Sequence, residues 1–113
     1  MSLQKNKYQQ IILYLCQKLG GEVRGKKKLA KLLYFVDFDF YEKYQKSITG
    51  DTYKALPMGP VPVSLENMTA EMVKKKMLNV ETLEEREGYI PTEVYRSKDE
   101  VDLSVFSLEE KKM

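Results

Sequence analysis

From residue 26 to residue 44, Leu29, Leu32, Leu33, Val36, Phe40 and Tyr44 fall within one arc at 100° per residue. Over this length that recurrence belongs to an amphipathic α-helix. Ala30, Tyr34 and Tyr41 form an adjoining ridge, and an apolar arc this broad is expected of a helix packed between two other elements. We therefore expect it to be the central helix, with Leu33, Val36 and Phe40 largely buried. Asp37 sits inside the same arc. An unpaired carboxylate there would cost several kcal/mol, so it is expected to be buried and to accept hydrogen bonds, from a tyrosine hydroxyl or from backbone amides near a downstream elbow.

The flanking elements are shorter. Tyr8, Ile11, Ile12, Leu15 and Leu19 give a first helix from about Lys5 that Gly20-Gly21 ends. Ile48-Thr49-Gly50-Asp51 reads as a turn, and Thr52 to Leu56 as a short strand. In Pro57-Met58-Gly59-Pro60-Val61-Pro62, three prolines fix φ and remove amide donors, which predicts a rigid elbow that cannot join a central strand. A third helix is expected to start near Ser64 with Leu65, Met68, Met72 and Met77 inward. Val80 to Leu83 and Tyr89 to Tyr95, divided at Glu87-Gly88, read as a hairpin. Ser107 and Glu110 make a capping-box pattern at the end of the chain, so a helix is expected to begin there and the chain reads as a shortened form. The opening Met-Ser-Leu reads as a cloning remnant. The expected fold class is α+β, mainly helical: three or four helices around a central helix with a small antiparallel β element, in a single domain over residues 1–113.

Composition narrows the function classes. No histidine is present, which removes the usual general base and the commonest zinc ligand, so catalysis and a metal are not expected. Neither a P-loop nor a dinucleotide fingerprint is found, and no cofactor is expected. The single cysteine, Cys16, lies on or beside the apolar face of the first helix and reads as a buried, inert thiol in a reducing cytoplasm. Apolar runs are too short for a membrane span and no secretion signal is visible. Asp37 and Asp39, two apart on a helix, point in divergent directions and cannot act as a paired-carboxylate site. Charge is uneven: residues 1–60 hold 11 Lys+Arg against 5 Asp+Glu, and residues 61–113 hold 8 against 12.

Lys28-Leu29-Ala30-Lys31-Leu32-Leu33-Tyr34-Phe35 with Asp37-Phe38, then Ile48 to Tyr53, then Met58-Gly59-Pro60-Val61, resemble in order and spacing the Panacea domain, the SocA-like antitoxin family, over roughly residues 5–110. The chain departs from many relatives at Pro57-Met58, where they carry a lysine and a histidine or tyrosine, and the C-terminal helix usual in the family is expected to be missing. The resemblance implies a bacterial or phage-associated antitoxin that neutralises or delivers a partner toxin protein by direct contact. Lys27, Lys28, Lys31 and Tyr34, with Gly59, Pro60 and Val61 as a rigid wall, are the candidate partner-binding residues; Asp37, Gly50 and Tyr53 are structural members of the motifs. Lysines at a helix start are disfavoured by the helix dipole, so an acidic partner or nucleic acid would explain them, and a solvated cluster would do so equally. The alternative function is a DNA-binding regulator of helix-turn-helix type, built on the first two helices. It is disfavoured by the net charge of +2 and by a second helix expected to be mostly buried.

Overall fold

A computed structural model describes residues 3–57, 59–83 and 92–111. In chain order its elements are α1 (Lys5–Lys18), β1 (Glu22–Arg24), α2 (Lys26–Tyr44), β2 (Tyr53–Leu56), β3 (Gly59–Pro62), α3 (Leu65–Lys74), β4 (Leu78–Leu83), β5 (Thr92–Ser97), a 3-10 turn (Leu103–Val105) and α4 (Leu108–Lys111). The class is α+β, mainly helical, with two small antiparallel sheets of order β1-β5-β4 and β2-β3.

The central helix is α1, not α2. Tyr8, Ile12, Leu13 and Cys16 on α1 are wholly buried, and α2, α3, β1, β5 and the 3-10 turn all pack against it. Leu13 and Gln9 are buried although they lie off the stripe through Tyr8, Ile11, Ile12 and Leu15, so α1 has protein on two faces. Leu19 is exposed because the helix has already ended at Lys18, one residue earlier. On α2 only Leu29, Ala30, Leu33, Asp37 and Phe40 are buried, and Val36 is partly covered. The expectation of a mostly buried second helix is therefore corrected: its broad apolar surface has two faces, and the described residues cover one.

The link between α1 and α2 is a strand. Gly21, at φ +108°, lets the chain reverse where a side chain would be strained, and β1 then pairs with β5 in the register Glu22↔Arg96, Val23↔Tyr95, Arg24↔Val94. Gly25 (φ +96°) donates its amide to the Glu93 carbonyl at 2.7 Å before α2 begins. A helix-turn-helix needs a short turn between its two helices, and this link is held in a sheet instead. β1 was missed in the sequence because three residues are too short for a period-2 signal. The expected hairpin forms as β4 and β5, in register from Leu78↔Ser97 to Leu83↔Thr92, while its expected turn at Glu87-Gly88 lies outside the described residues. Val23, Tyr95 and Val80 make one cross-strand row.

The proline elbow is itself a strand. β3 pairs with β2 (Ala55↔Pro60, Tyr53↔Pro62), and the Val63 amide donates to the Thr52 carbonyl at 2.9 Å. By alternation the Gly59 and Val61 amides also face β2, so the missing amides of Pro60 and Pro62 fall on the outer edge, where no partner strand needs them. That edge is closed to a further strand. At the C-terminal end the capping box is made in full: Glu110 accepts from the Ser107 amide (2.7 Å), Ser107 Oγ accepts from the Glu110 amide (3.2 Å), and Lys7 on α1 pairs with the Glu110 carboxylate at 3.0 Å.

Cys16 is wholly buried, its Sγ 3.4 Å from the Tyr95 carbonyl, and burial pushes its thiol pKa up to about 11. At pH 8 its modification by a thiol reagent should be slower than in denaturant by at least a factor on the order of a hundred, the difference in thiolate fraction alone. Equal rates with and without denaturant would place the thiol at the surface.

Candidate functional site

Residues of the first two sequence motifs, Asp37 from one and Ile48, Thr49 and Tyr53 from the other, meet at one buried carboxylate. Asp37, 4% exposed, points from α2 at the loop that follows it. Its Oδ1 accepts the amides of Ile48 (2.9 Å) and Thr49 (3.0 Å), and its Oδ2 accepts the Tyr53 hydroxyl (2.6 Å) and the Thr49 hydroxyl. The amides come from the turn after α2 rather than from the elbow. Gly50 (φ +73°) completes that turn and donates its amide to Ser47 Oγ at 3.0 Å. Asp51 carries the network onward, accepting the Tyr8 hydroxyl of α1 (2.8 Å) and the Ser64 amide at the start of α3 (3.1 Å). Three helices and the β2-β3 hairpin are thus tied through two carboxylates. All the acceptor capacity of Asp37 is directed into the fold, which leaves it no free face for a substrate.

The other candidates lie along α2. Lys27, Lys28 and Lys31 are exposed, and none makes an ion pair among the described residues, whereas Lys26 pairs with Glu66 across to α3. The helical period places Lys27 and Lys31 on the same face as Tyr34, and Lys28 about 100° round from Lys27. Tyr34 is half-buried, with its ring edge-on to Tyr53 at 5.5 Å. β3 packs against α2, and Gly59, Pro60 and Val61 are all partly covered, so they support the helix as much as they present a wall.

Three further residues belong to this surface and were not singled out in the sequence. Phe35, Phe38 and Tyr41 are 56%, 43% and 49% exposed. Tyr34 stacks on Phe38 with centroids 5.5 Å apart and planes at 20°, and tilts against Phe35 at 6.0 Å. A readable signal existed: Lys27, Lys31, Tyr34, Phe38 and Tyr41 step by four, three, four and three, on a different side of the helix from Leu29, Leu33 and Phe40. Tyr41 was read as part of the apolar ridge of a packed helix, and Phe35 and Phe38 only as motif members, but aromatic residues are as much a mark of interfaces as of cores.

Among the described residues no group of three His, Cys, Asp or Glu side chains could hold a metal ion, and no helix is long and apolar enough to cross a membrane. A groove of about 370 Å³ between α3 and the β4-β5 face, floored by Val73, Val80 and Tyr95, is open to solvent and brings together no catalytic pairing.

The family model described as antitoxin SocA-like, Panacea domain, matches residues 29–113. The chain belongs to the SocA-like antitoxin family. No curated protein and no solved structure matches it. The Panacea match takes in Lys31, Tyr34, Asp37, Gly50, Tyr53 and Gly59 to Val61, while Lys27 and Lys28 lie just ahead of it. It also begins after α1, yet α1 supplies the most buried helix of the core and the Tyr8 hydroxyl that Asp51 accepts. The Panacea segment of this chain is therefore completed physically by residues that precede it.

Proposed function

We propose that this Panacea-domain chain is an antitoxin of the bacterial cytoplasm that binds a toxin protein directly and neutralises it, by covering it or by delivering it elsewhere, without catalysis of its own. The family match over residues 29–113 carries the reading. The surface of α2 supports it, since exposed aromatic rings are characteristic of protein contacts, and the lysines beside them, without an ion pair among the described residues, supply charge that would steer an acidic partner. The contact is placed on Lys27, Lys28, Lys31 and Tyr34, with Gly59, Pro60 and Val61 of β3 behind them.

Co-expression tests the reading: growth arrested by a protein that co-purifies with this chain from its own host should be restored when the chain is present. Failure to restore growth, with both proteins expressed and folded, would count against it. A second measurement concerns the lysines. Reversing Lys27 and Lys28 to Glu should slow association with an acidic partner by about tenfold at low salt and flatten the salt dependence, with the thermal midpoint held or slightly raised, since the helix dipole favours carboxylates in the first turn. Association unaltered at both low and high salt would remove these lysines from the contact.

A further inference from the structure

We infer that the uncovered face of α2 is a docking seam for one amphipathic α-helix of the partner protein, a helix that carries acidic residues over one end and apolar residues over the other. The inference rests on the protein-binding reading above and adds what the bound segment is. Spacing comes first. Lys27, Lys31, Tyr34, Phe38 and Tyr41 alternate four- and three-residue steps, and a repeat averaging 3.5 keeps a seam facing a second helix along its length. Over these residues the seam runs about 21 Å at 1.5 Å per residue, roughly four turns. An extended peptide pairing by its backbone has no use for such a period, and the outer edge of β3 beside α2 is closed to strand addition by Pro60 and Pro62.

The rings are ready for contact. Phe38 is held in a stack with Tyr34, which is itself braced by Tyr53, so part of the ring freedom is already lost before any partner arrives. Phe35 and Tyr41 extend the apolar surface beside them. The buried arc of α2 is served by α1, the sheet and β3, whereas on this second face Tyr34 is covered only in part, by Tyr53, and Phe38 and Tyr41 are 43% and 49% exposed.

Charge gives the occupant its polarity. Lys27 occupies a seam position in the first turn, where the helix dipole disfavours a cation, and Lys31 the next seam position one turn on, and acidic side chains of a docked helix would pair with both. Asp39 and Glu42 are exposed beside the rings, which disfavours a nucleic-acid backbone at that end. A second copy of this chain in parallel would set lysine against lysine, so only an antiparallel self-pair competes.

Three synthetic helical peptides with leucines at alternating three- and four-residue steps serve as probes of the full chain: one with glutamates elsewhere, one with lysines, and one scrambled glutamate peptide. The glutamate peptide should bind saturably and shift amide resonances of α2 from Lys27 to Tyr41. The lysine and scrambled peptides should bind at least about tenfold more weakly. Phe38→Glu and, separately, Tyr41→Glu should each weaken binding about tenfold or more with an unchanged thermal midpoint; the second variant keeps the test open should the first not fold. Absence of binding, shifts confined to another surface, or equal binding of the scrambled peptide overturns the seam. So does concentration-dependent dimerisation of the chain through these residues, or the same shifts produced by oligo(dT). The two readings fail separately: neutralisation of the toxin by folded Phe38→Glu and Tyr41→Glu chains overturns the seam alone, and failure of the unmodified chain to neutralise overturns the antitoxin reading, while the peptides still decide the seam.

Discussion

Asp37→Ala should lower the free energy of unfolding by about 3–5 kcal/mol, because it removes one acceptor group and strands several buried donors at once. The Ile48 and Thr49 amides and the hydroxyls of Thr49 and Tyr53 all donate to this carboxylate, and both Ile48 and Thr49 are at most 2% exposed, so water cannot replace it without opening the turn. Small domains have roughly 5–15 kcal/mol in total, so the variant would stand close to its unfolding threshold. Asp37→Asn separates charge from shape. It keeps an oxygen for the two amides but turns an NH2 group toward the two hydroxyls, and should cost less than the alanine variant. Tyr53→Phe should remove part of the same energy, so the double variant Asp37→Ala with Tyr53→Phe should cost less than the sum of the two singles. Denaturant melts of the four chains decide this. A loss below about 1 kcal/mol for Asp37→Ala would show that the turn and hairpin hold without the carboxylate.

The role of Asp37 was legible because one charged residue inside an apolar arc has few physical solutions, and the surrounding Ile48 to Tyr53 supply donors at close range. The long elements α1, α2 and α3 were legible through their periods, and the capping box of α4 through two residues three apart. Centrality was not. Both α1 and α2 show apolar residues beyond a single stripe, and the sequence cannot tell whether a second face meets the same chain, as at Leu13, or something else, as at Phe38. β1 escaped because its pairing partner, β5, lies some 70 residues away, and such pairing leaves no local trace. For the same reason the lysines at the start of α2 were visible as candidates while Tyr41, in the row they begin, was read as part of the apolar ridge of a packed helix, and Phe38 only as a member of the motif.

Raising the pH above about 10 should unfold the chain over a narrow range, and three tyrosines are the reason. Burial pushes the hydroxyls of Tyr8, Tyr53 and Tyr95 well above the ordinary tyrosine range, and a carboxylate in contact with each pushes further in the same direction. The contacts are Tyr8 to Asp51 at 2.8 Å, Tyr53 to Asp37 at 2.6 Å and Tyr95 to Glu93 at 2.7 Å, so ionising any of them would set two anions against each other. In the unfolded chain the same groups ionise near pH 10. With the folded value above the unfolded one, this stability is whole below pH 10 and declines as pH rises, since the unfolded state sheds protons that the folded state keeps. Each tyrosine contributes about 1.4 kcal/mol per pH unit in that range, and three together about 4, enough to exhaust a small domain's stability within a few pH units. Absorbance at 295 nm followed with far-ultraviolet circular dichroism checks it. Of the eight tyrosines in the chain, these three should ionise together with the loss of helix, not before it. Tyr8→Phe should make the decline shallower by about a third, at some cost in stability at neutral pH from the lost contact with Asp51. If all eight ionise while the helical signal stays native, the buried hydroxyl–carboxylate contacts do not exist as described.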